Sequence, residues 1–597
     1  MLPSDPGARH IPLPEHTDWY APDEHLQWLA RRTLGEQVWG VAGGALADAG
    51  RFVATTIEPL AVTADRHPPI LHQYDPRGAR VDEIELHPAY DGLLDGALRF
   101  GMVRAGYLPG WRGLEARAPR ALMTALQYLW MQADQSIQGC PVAMMDAGAR
   151  LLTLHGGELG ERLVPRIADD TGTHLTVGMF LTEKAGGSDV GANETVAVRD
   201  DDGGWRLHGE KWFCSCPHSD LLLVMARPEG AGQGTGGLGV FLVPRYLADG
   251  SRNAFVIHRL KEKFGTRSMP SGEVGFRGAW AEPVGRIERG MKQMLDMVNM
   301  TRVGIAAQAA ALMRRSAYES LLHSAGRTAF GRRLDTQPLM TDTLAELVVD
   351  SVAALTMAMG TAEMLDRADA GDHAAASVLR LLTPLAKGYG SERARICATE
   401  AMEVRGGNGA IEDWPNSRML RDGYIHAIWE GTGNIQALDV LRAIGRGALP
   451  DWIADVEERA ARAESSGPSA PLAGLIRAEL RAVERDVVAL SGRDPDAQQL
   501  PVRRLARRMA VLAAGSRLAE QAHDHAAQTG SGRLAWIAAR HLARLGGGET
   551  LAAVADDPAW LAHAQPLLHG GTVPLGLGER ACAAVAAVHR PEAARVA

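Results

Sequence analysis

The stretch LLLVMARPEGAGQGTGGLGVFLVP, residues 221–244, decides the fold class, because it sets two short apolar runs on either side of a glycine-rich segment. Continuous apolar runs of this length, bounded by turn residues, are typical of buried β-strands. Glycine at the density of residues 228–239 cannot support a regular element, so this segment is best interpreted as a flexible loop. The stretch therefore predicts a β-hairpin.

Further short runs extend this pattern to both sides of the hairpin. WRLHG (205–209), FVIHRL (255–260) and GEVGF (272–276) are alternating or continuous apolar runs separated by Gly, Pro, Asp and Ser. Such runs are strand signals with turns between them. We therefore predict one compact β unit over residues 178–285.

The chain on either side of the β unit has the apolar spacing of helices. ALMTALQYLWMQA (121–133) and GIAAQAAALMRRSAYESLLHSA (304–325) repeat apolar residues at intervals of three and four. ESSGPSAP (464–471) is a linker by composition, and the residues after it return to a helical pattern. The predicted regions are 1–177, an N-terminal extension and helical domain; 178–285, the β domain; 286–446, a helix bundle; and 447–597, a linker and additional helical domain.

Neither a βαβ alternation nor a G-x-G-x-x-G segment after a strand is present, which disfavours a Rossmann dinucleotide fold. A nucleotide cofactor would then lie at a domain junction.

Composition limits the classes of function. The 597 residues are 46% hydrophobic and 22% charged, which is typical of a folded, multidomain, soluble protein. With 63 basic and 71 acidic residues the net charge is −8, so any site for a polyanion is local. Five scattered cysteines without a C-x-x-C pair favour neither a disulfide framework nor a zinc site, and they indicate a reducing cytosol. The N-terminus has no apolar signal region and no stretch of about 18 apolar residues occurs, so we expect a cytoplasmic protein without a membrane span.

Two segments of the β unit are candidates for ligand binding. LTEKAGGSD (181–189) combines two glycines, which allow a close approach of the backbone, with the hydroxyls of Thr182 and Ser188. A surface turn has the same composition. In KWFCS (211–215), Phe213 and Ser215 lie two residues apart on a predicted strand, so both point to one side and are suited to flank a flat ligand. The alternative is a core aromatic beside a satisfied serine.

Three helical segments are further candidates. RTAFGRRLDTQ (327–337) combines three arginines with Phe330 and Gln337, a set suited to a pyrophosphate and an adenine. VRGGNG (404–409) is a helix end with exposed backbone groups, or a plain C-cap. IWEGTGNIQ (428–436) sets one carboxylate, Glu430, beside a tryptophan and before a run of turn formers.

The order and spacing of these five segments resemble the acyl-CoA dehydrogenase superfamily of flavoproteins. Within it, the sequence is most similar to the AidB branch, the adaptive-response proteins linked with DNA alkylation damage. The resemblance covers roughly residues 60–446, and five ordered segments make chance very improbable. It implies an α+β multidomain fold with an N-terminal helical domain, a central β-barrel, a four-helix bundle and an extra C-terminal helical region.

The resemblance also implies FAD as cofactor, held between barrel and bundle. It implies a homo-oligomer, a tetramer built as a dimer of dimers, because some residues would reach the FAD of a neighbouring subunit. Carried over by position, the residues that would contact the FAD of their own subunit are Met179, Leu181, Thr182, Gly187, Ser188, Phe213, Cys214, Ser215, Ile428, Gly431, Thr432 and Asn434. Those that would reach the neighbouring FAD are Arg327, Phe330, Gln337, Gly406 and Gly407.

The residue at the position of Glu430 is the general base in this family. The implied activity is α,β-dehydrogenation of an acyl-CoA or related thioester, with the α proton going to Glu430 and the β hydride to flavin N5. Desolvation beside Trp429 is expected to raise the pKa of the carboxyl toward the working pH. Some relatives take their base from the position of Thr301, which cannot ionise. Glu403 and Trp429 depart from the pattern of typical acyl-CoA dehydrogenases and weigh against turnover of ordinary fatty acyl-CoAs.

The alternative is a DNA-binding flavoprotein that protects against alkylation damage and has weak dehydrogenase activity, since the C-terminal helices of the AidB branch are associated with DNA binding. Residues 446–597 contain 18 basic and 17 acidic residues, so no broad basic surface is predicted. One helix within PVRRLARRMAVLAAGSRLAE (501–520) has an apolar face of Val502, Leu505, Met509 and Leu512. Its other side carries the candidate double-stranded DNA contacts, Arg503, Arg504, Arg507 and Arg508. A solvated basic face and a face docked on a neighbouring element remain alternatives.

Overall fold

A computed structural model describes residues 16–201, 203–465, 467–545 and 558–588. The chain divides into two compact units, one of residues 40–304 and one of residues 1–39 together with 305–597. Two long helices, α1 (Glu24–Phe52) and α8 (Gly290–Gly326), run from one unit into the other.

A closed β-barrel forms the centre of the 40–304 unit. The ring closes because β6 pairs with β7, β7 with β9, β9 with β5, β5 with β4, and β4 again with β6, while β3 and β8 add to β6 and β9. The core of the barrel contains Phe180, Phe241 and Phe276, each at most 1% exposed. The strands are β3 (Val177–Phe180), β4 (Val196–Arg199), β5 (Trp205–Ser215), β6 (Leu221–Pro228), β7 (Gly239–Pro244), β8 (Phe255–Leu260) and β9 (Ser271–Pro283).

Residues 221–244 form the antiparallel hairpin of β6 and β7 that the apolar runs predict. The prediction is confirmed, and so are the strands predicted from WRLHG, FVIHRL and GEVGF. The physical basis is clear: β6 has seven consecutive buried residues, as a strand covered on both faces requires.

The predominantly helical interpretation of the first third misses one hairpin, formed by β1 (Ile70–Tyr74) and β2 (Arg80–Glu85). Asp75 closes its turn by accepting bonds from the amides of Arg77 and Ala79, both at 2.8 Å. The other described elements of this third are helical; besides α1 they include α2 (Glu58–Arg66), α3 (Pro88–Phe100), α4 (Arg104–Tyr107), α5 (Arg120–Trp130), α6 (Ala143–His155) and α7 (Glu158–Ile167).

The described residues of the other unit form helices apart from one small hairpin. Its long helix α9 has an 18-residue window apolar enough to cross a membrane, but 83% of that window is buried inside the protein, as in the core helix of a bundle. The elements are β10 (Thr328–Ala329), β11 (Arg332–Arg333), α9 (Pro338–Asp369), α10 (His373–Arg405), α11 (Pro415–His426), α12 (Gly433–Gly445), α13 (Leu449–Glu464), α14 (Ala470–Ser491), α15 (Pro495–Thr529), α16 (Arg533–Leu542), α17 (Ala564–His569) and α18 (Leu575–Val588).

The C-terminal helices pack onto the bundle within this unit. Helix α15 contacts α9, α10, α12, α13, α14 and α16. The four residues of its predicted apolar face are at most 5% exposed. The predicted linker at 464–471 is only a short turn between α13 and α14, and the buried Ser469 hydroxyl fastens it by donating to the Ala519 carbonyl at 2.8 Å. The division of the chain into four regions stays a prediction.

Candidate functional site

The loop that follows β3 is organised around the buried carboxylate of Glu183. This carboxylate accepts hydrogen bonds from the Lys211 ammonium at 2.6 Å and from the hydroxyl and amide of Thr195 at 2.6 and 3.1 Å. The Glu194 amide donates to its second oxygen at 2.6 Å. Burial alone would raise the pKa of Glu183, but Lys211 and the hydrogen-bond donors outweigh burial and hold the pKa below its ordinary value. Glu183 is therefore a structural anion that fixes the loop.

The same loop exposes Gly187, at a position where the neighbouring Thr182 leaves no space for a side chain. A methyl group there would lie 2.8 Å from the Thr182 hydroxyl, so a larger residue would displace the threonine. Gly186 has φ of +136°, which residues with a Cβ rarely adopt. The backbone before the glycines is held in place: Thr182 O accepts from the Trp212 amide at 2.9 Å, and Leu181 O accepts from the Asn193 side chain at 2.8 Å. A rigid loop with an open glycine edge suits the edge of a cofactor ring.

The end of β5 supplies an aromatic face. Phe213 is 54% exposed although it lies in a barrel strand, and the Lys261 ammonium lies 4.7 Å from its ring centroid. Cys214 points the other way into the barrel core, where burial raises the pKa of its thiol. Strand alternation is the reason, so Cys214 offers a cofactor only its backbone. Ser215 is half-buried at the strand end.

In the helical unit, Glu430 lies in the turn between α11 and α12. Its backbone has φ of +54°, the left-handed region that costs a residue with a Cβ about 1 kcal/mol or more. Gly431 follows with φ of +98°, and a Cβ there would lie 2.8 Å from the Gln436 amide nitrogen. Strain of this kind persists only where the surroundings enforce it, and it is concentrated at functional sites.

Two side chains enforce this turn. The Gln436 amide donates to the carbonyl of Glu430 at 2.9 Å and to the carbonyl of Gly431 at 3.1 Å. The buried Lys387 ammonium donates to the same Gly431 carbonyl from α10. The backbone that carries the Glu430 side chain is thus fixed from two helices.

Two aromatic side chains with buried nitrogen atoms, His426 and Trp429, lie beside this turn. His426 is fully buried and stacks on Trp429 with a centroid distance of 6.0 Å. Among the described residues neither ring nitrogen of His426 has a hydrogen-bond partner, nor has the buried indole nitrogen of Trp429. Desolvation, together with the nearby Lys387 charge, lowers the pKa of His426 to about 3, so the ring is neutral at working pH.

The predicted cofactor contacts on this turn are accessible. Ile428, Thr432 and Asn434 are exposed, and Thr432 immediately precedes the first turn of α12. The Asn434 side-chain oxygen accepts from Arg503 at 3.2 Å, which links the turn to helix α15.

The segment 327–337 forms the small hairpin of β10 and β11. Its tip consists of Phe330 and Gly331 at φ of +52° and +74°, the pattern of a type I′ turn, and Phe330 is 95% exposed. Gln337 braces the hairpin by donating to the Ala329 carbonyl at 3.0 Å. A fully exposed phenyl ring on a strained, braced tip is suited to contact another molecule.

The glycines at the end of α10 lie in the same neighbourhood. The charges of Arg327 and Arg405 both act on His323, where desolvation first and these two arginines next lower its pKa to about 4. A Cβ at Gly406 or Gly407 would meet no atom within 4 Å. The hairpin and the helix end thus lie close enough for Arg327 and Arg405 to act on the same histidine.

The arginines predicted to contact DNA are largely paired within the chain. Arg507 binds Glu392 at 2.7 Å, Arg508 binds Glu479 at 2.6 Å, and Arg503 lies 3.6 Å from Glu392. Such pairing reduces the charge available to phosphates, and the DNA contacts stay a prediction.

The predicted residues thus fall into three groups: the barrel loop with the end of β5, the turn at 428–434, and the hairpin with the α10 end. Their roles toward a cofactor stay predictions. Sequence reasoning missed the side chains that fix these groups, Glu183, Lys211, Lys387, His426 and Gln436. One signal was present, because Lys211 occupies a core-facing position in the alternation of β5, where a lysine needs a carboxylate partner.

Comparison with family models gives three consecutive matches. Residues 11–171 match the AidB N-terminal domain of adaptive response proteins, residues 178–279 match the acyl-CoA dehydrogenase middle domain, and residues 288–445 match the acyl-CoA dehydrogenase C-terminal domain.

Two curated relatives are similar over most of their length. The putative acyl-CoA dehydrogenase AidB of Escherichia coli is 36% identical over 400 residues, which cover 65% of this chain and 71% of that protein. Acyl-CoA dehydrogenase family member 11 of Caenorhabditis elegans is 33% identical over 435 residues, which cover 71% of this chain and 70% of that protein.

Two solved structures share the fold. The structure of the C. elegans protein in complex with C11-CoA superposes with a TM-score of 0.80 at 29% identity, covering 86% of this chain and 89% of that one. An acyl-CoA dehydrogenase from Bacillus anthracis, complexed with FAD, has a TM-score of 0.71 and covers 92% of this chain and 94% of that one. Its 17% identity shows the fold alone.

Proposed function

The chain belongs to the acyl-CoA dehydrogenase family of FAD-dependent oxidoreductases that act on CH–CH groups, and on this basis we propose that it dehydrogenates an acyl-CoA between the α and β carbons. The observation that carries the proposal is the turn at Glu430, a carboxylate on a strained backbone fixed by Lys387 and Gln436. The complex of the C. elegans relative with C11-CoA supports a coenzyme A thioester as substrate.

The residues present fit FAD. Within the barrel unit, the exposed Gly187 and the exposed ring of Phe213 are suited to a ring edge and a ring face. Within the helical unit, the accessible turn at Thr432 and Asn434 is suited to a cofactor chain. FAD, when bound, supplies the acceptor for the hydride that leaves the β carbon. Asn434 is additionally held by Arg503, so its orientation is fixed before any ligand arrives.

Glu430 takes the proton from the α carbon in the proposed reaction. Removal of a proton and a hydride from adjacent carbons gives the 2-enoyl thioester, so electrons and protons balance. Positioning matters for a base, and the donors on the carbonyls of Glu430 and Gly431 prevent the turn from relaxing. Trp429 and His426 stack beside the turn, and the His426 ring is uncharged.

The exposed hairpin supports a homo-oligomer, in which Phe330 contacts a second copy of the chain near its cofactor. The phenyl ring of Phe330, 95% exposed on a backbone of positive φ, supports such a contact. Light scattering of the protein with Phe330→Ser should show dissociation and a weaker affinity for FAD, whereas an unchanged mass and affinity would remove this part of the proposal.

Anaerobic mixing of the FAD-loaded protein with a panel of acyl-CoAs tests the proposed reaction. Bleaching of the visible flavin band by at least one thioester is expected, together with formation of the 2-enoyl product. A protein that retains FAD but is bleached by no thioester would show that the proposed reaction is wrong.

A further inference from the structure

A cavity in the helical unit is lined by residues of α9, α10, α15 and the segment that follows α16, and we call it the arginine cleft. Its volume is about 510 Å³, within the size range of small-molecule sites. Beside Glu346, Val511 and Leu545, its lining residues are Tyr389, Arg393, Arg504, Arg507, Arg508 and Arg544. Five guanidinium groups therefore face one concave space in a protein whose net charge is −8.

The floor of the cleft is a rigid ion-pair network. Arg393 binds the buried Asp350 through Nε at 3.1 Å and Nη2 at 2.6 Å. Arg544 binds the same carboxylate and also Glu346 at 2.7 Å. These hydrogen bonds hold the guanidinium groups of Arg393 and Arg544 in place. Because the two side chains need no reordering to receive a ligand, the entropic cost of binding is lowered.

The rim of the cleft keeps donors available. Arg507 gives Nε and Nη2 to Glu392, at 3.1 and 2.7 Å, which leaves its Nη1 for another acceptor. Within the described part of the chain, the exposed Arg504 has no carboxylate at ion-pair distance. Arg508 is engaged with Glu479 and Asp486, so the rim donors for a ligand come chiefly from Arg504 and Arg507.

The guanidinium N–H donors that these ion pairs leave unused converge on one concave surface, where they can recognise oxyanions by paired hydrogen bonds. We propose that the arginine cleft binds a small anion that carries two or more phosphate or carboxylate groups. One group of the ligand contacts Arg504 and Arg507 at the rim, and a second reaches toward Arg393 and Arg544. The cleft is distinct from the turn at Glu430, so the proposal does not depend on the reaction proposed above.

Calorimetric titration of the FAD-loaded full chain with inorganic pyrophosphate tests the proposal. Saturable binding of one pyrophosphate per chain is expected, with no change in the flavin spectrum. Arg504→Gln should raise the dissociation constant by about tenfold or more, the usual effect of losing a hydrogen bond to a charged group. Arg504 takes part in no internal ion pair among the described residues, so this variant should fold normally.

Arg481→Gln is the matched control, because Arg481 is an equally exposed arginine on α14 outside the cleft. Absence of saturable binding would overturn the proposal, and so would an equal loss in the two variants. Pyrophosphate that binds only by displacing FAD would assign the affinity to the cofactor site instead. Salt-sensitive binding of a 20-base-pair duplex that depends on Arg504, without pyrophosphate binding, would replace the small anion by nucleic acid.

Discussion

Two glutamates, Glu183 in the barrel unit and Glu430 in the helical unit, each lie in a loop beside a tryptophan, and their surroundings differ in kind. The Glu183 carboxylate receives four hydrogen bonds, including one from the buried Lys211 ammonium. At Glu430 the donors, Lys387 and Gln436, bind the backbone carbonyls of the turn. The backbone of Glu430, but not that of Glu183, is left-handed.

The difference shows how to tell a structural acid from a candidate base. A carboxylate saturated by donors has its pKa held down and cannot take up a proton near neutral pH, as at Glu183. A carboxylate on a turn whose backbone is braced has its position fixed while the structure stores strain there. The following variants separate the two roles, in order of the expected effect.

Glu430→Gln should lower the rate of flavin reduction by the best acyl-CoA by about 10²–10⁴-fold, because a general base contributes that much. Anaerobic stopped-flow absorbance measures this rate. FAD content and thermal stability should match those of the unmodified protein, and Glu458→Gln, an exposed glutamate on α13, should leave the rate unchanged. A loss of less than about tenfold would show that another group takes the proton.

Glu183→Gln should instead lower the free energy of unfolding by about 3–5 kcal/mol, since it leaves the Lys211 ammonium buried without its anion. Urea denaturation monitored by tryptophan fluorescence measures this loss. Combining it with Lys211→Met should recover part of the stability, because the pair is then removed together. If the changes in the free energy of unfolding of the two single variants simply added in the double variant, a coupled ion pair would be contradicted.

The same pair has a pH signature. Because the pKa of Glu183 is lowered in the folded state, its stabilisation is present above the ordinary pKa of the carboxyl and is lost as the pH falls through the lower folded pKa.

His426→Phe should reduce the decrease in the free energy of unfolding that accompanies a fall in pH. The pKa of His426 is about 3 in the folded protein, below the ordinary value of 6.5, so the unfolded chain binds more protons and stability falls as the pH drops below 6.5. Between pH 7 and pH 5 this linkage amounts to about 2 kcal/mol, which the phenylalanine variant should not lose. Denaturation at the two pH values is the measurement, and identical slopes would contradict a buried neutral histidine.

Much of this architecture follows from local sequence patterns, whereas the supports of the site do not. The barrel strands are runs whose apolar period reports burial directly, as in β6. In the hairpin of β1 and β2, exposed residues alternate with half-buried ones, and only Asp82 is buried. These two strands therefore contain no run of buried apolar residues. A helical interpretation of its surroundings therefore passes over it.

The candidate site also depends on long-range contacts that local sequence patterns do not reveal. Glu430 is identified by its local segment, but Lys387 lies 43 positions earlier in an apolar helix, and its contact with Gly431 is created by the packing of α10 against α12. No periodicity encodes a contact of this range. Lys211 differs, because its core-facing place in β5 signals a buried partner in advance.

Lys387→Met should reduce kcat by about tenfold with little change in KM, because the Gly431 carbonyl loses its charged donor and the turn relaxes while the binding surface stays in place. Steady-state kinetics with the best acyl-CoA measure both constants. Lys292→Met, at an exposed lysine, serves as the control. A change confined to KM would assign Lys387 to substrate binding rather than to the positioning of the base.

Glu430→Asn is expected to cause the smallest change in the free energy of unfolding. Compared with Glu183→Asn, it contrasts the two glutamates directly. Asparagine tolerates the left-handed backbone better than glutamate does, so the free energy of unfolding should rise by about 0.5–1 kcal/mol while dehydrogenation is lost. Glu183→Asn should destabilise the protein, since the shorter side chain cannot reach all the donors that surround Glu183. Parallel urea titrations of the two variants measure both changes. If the backbone strain at Glu430 serves function, the free energy of unfolding should rise in Glu430→Asn and fall in Glu183→Asn. Destabilisation by Glu430→Asn would mean that the Glu430 side chain supports the fold.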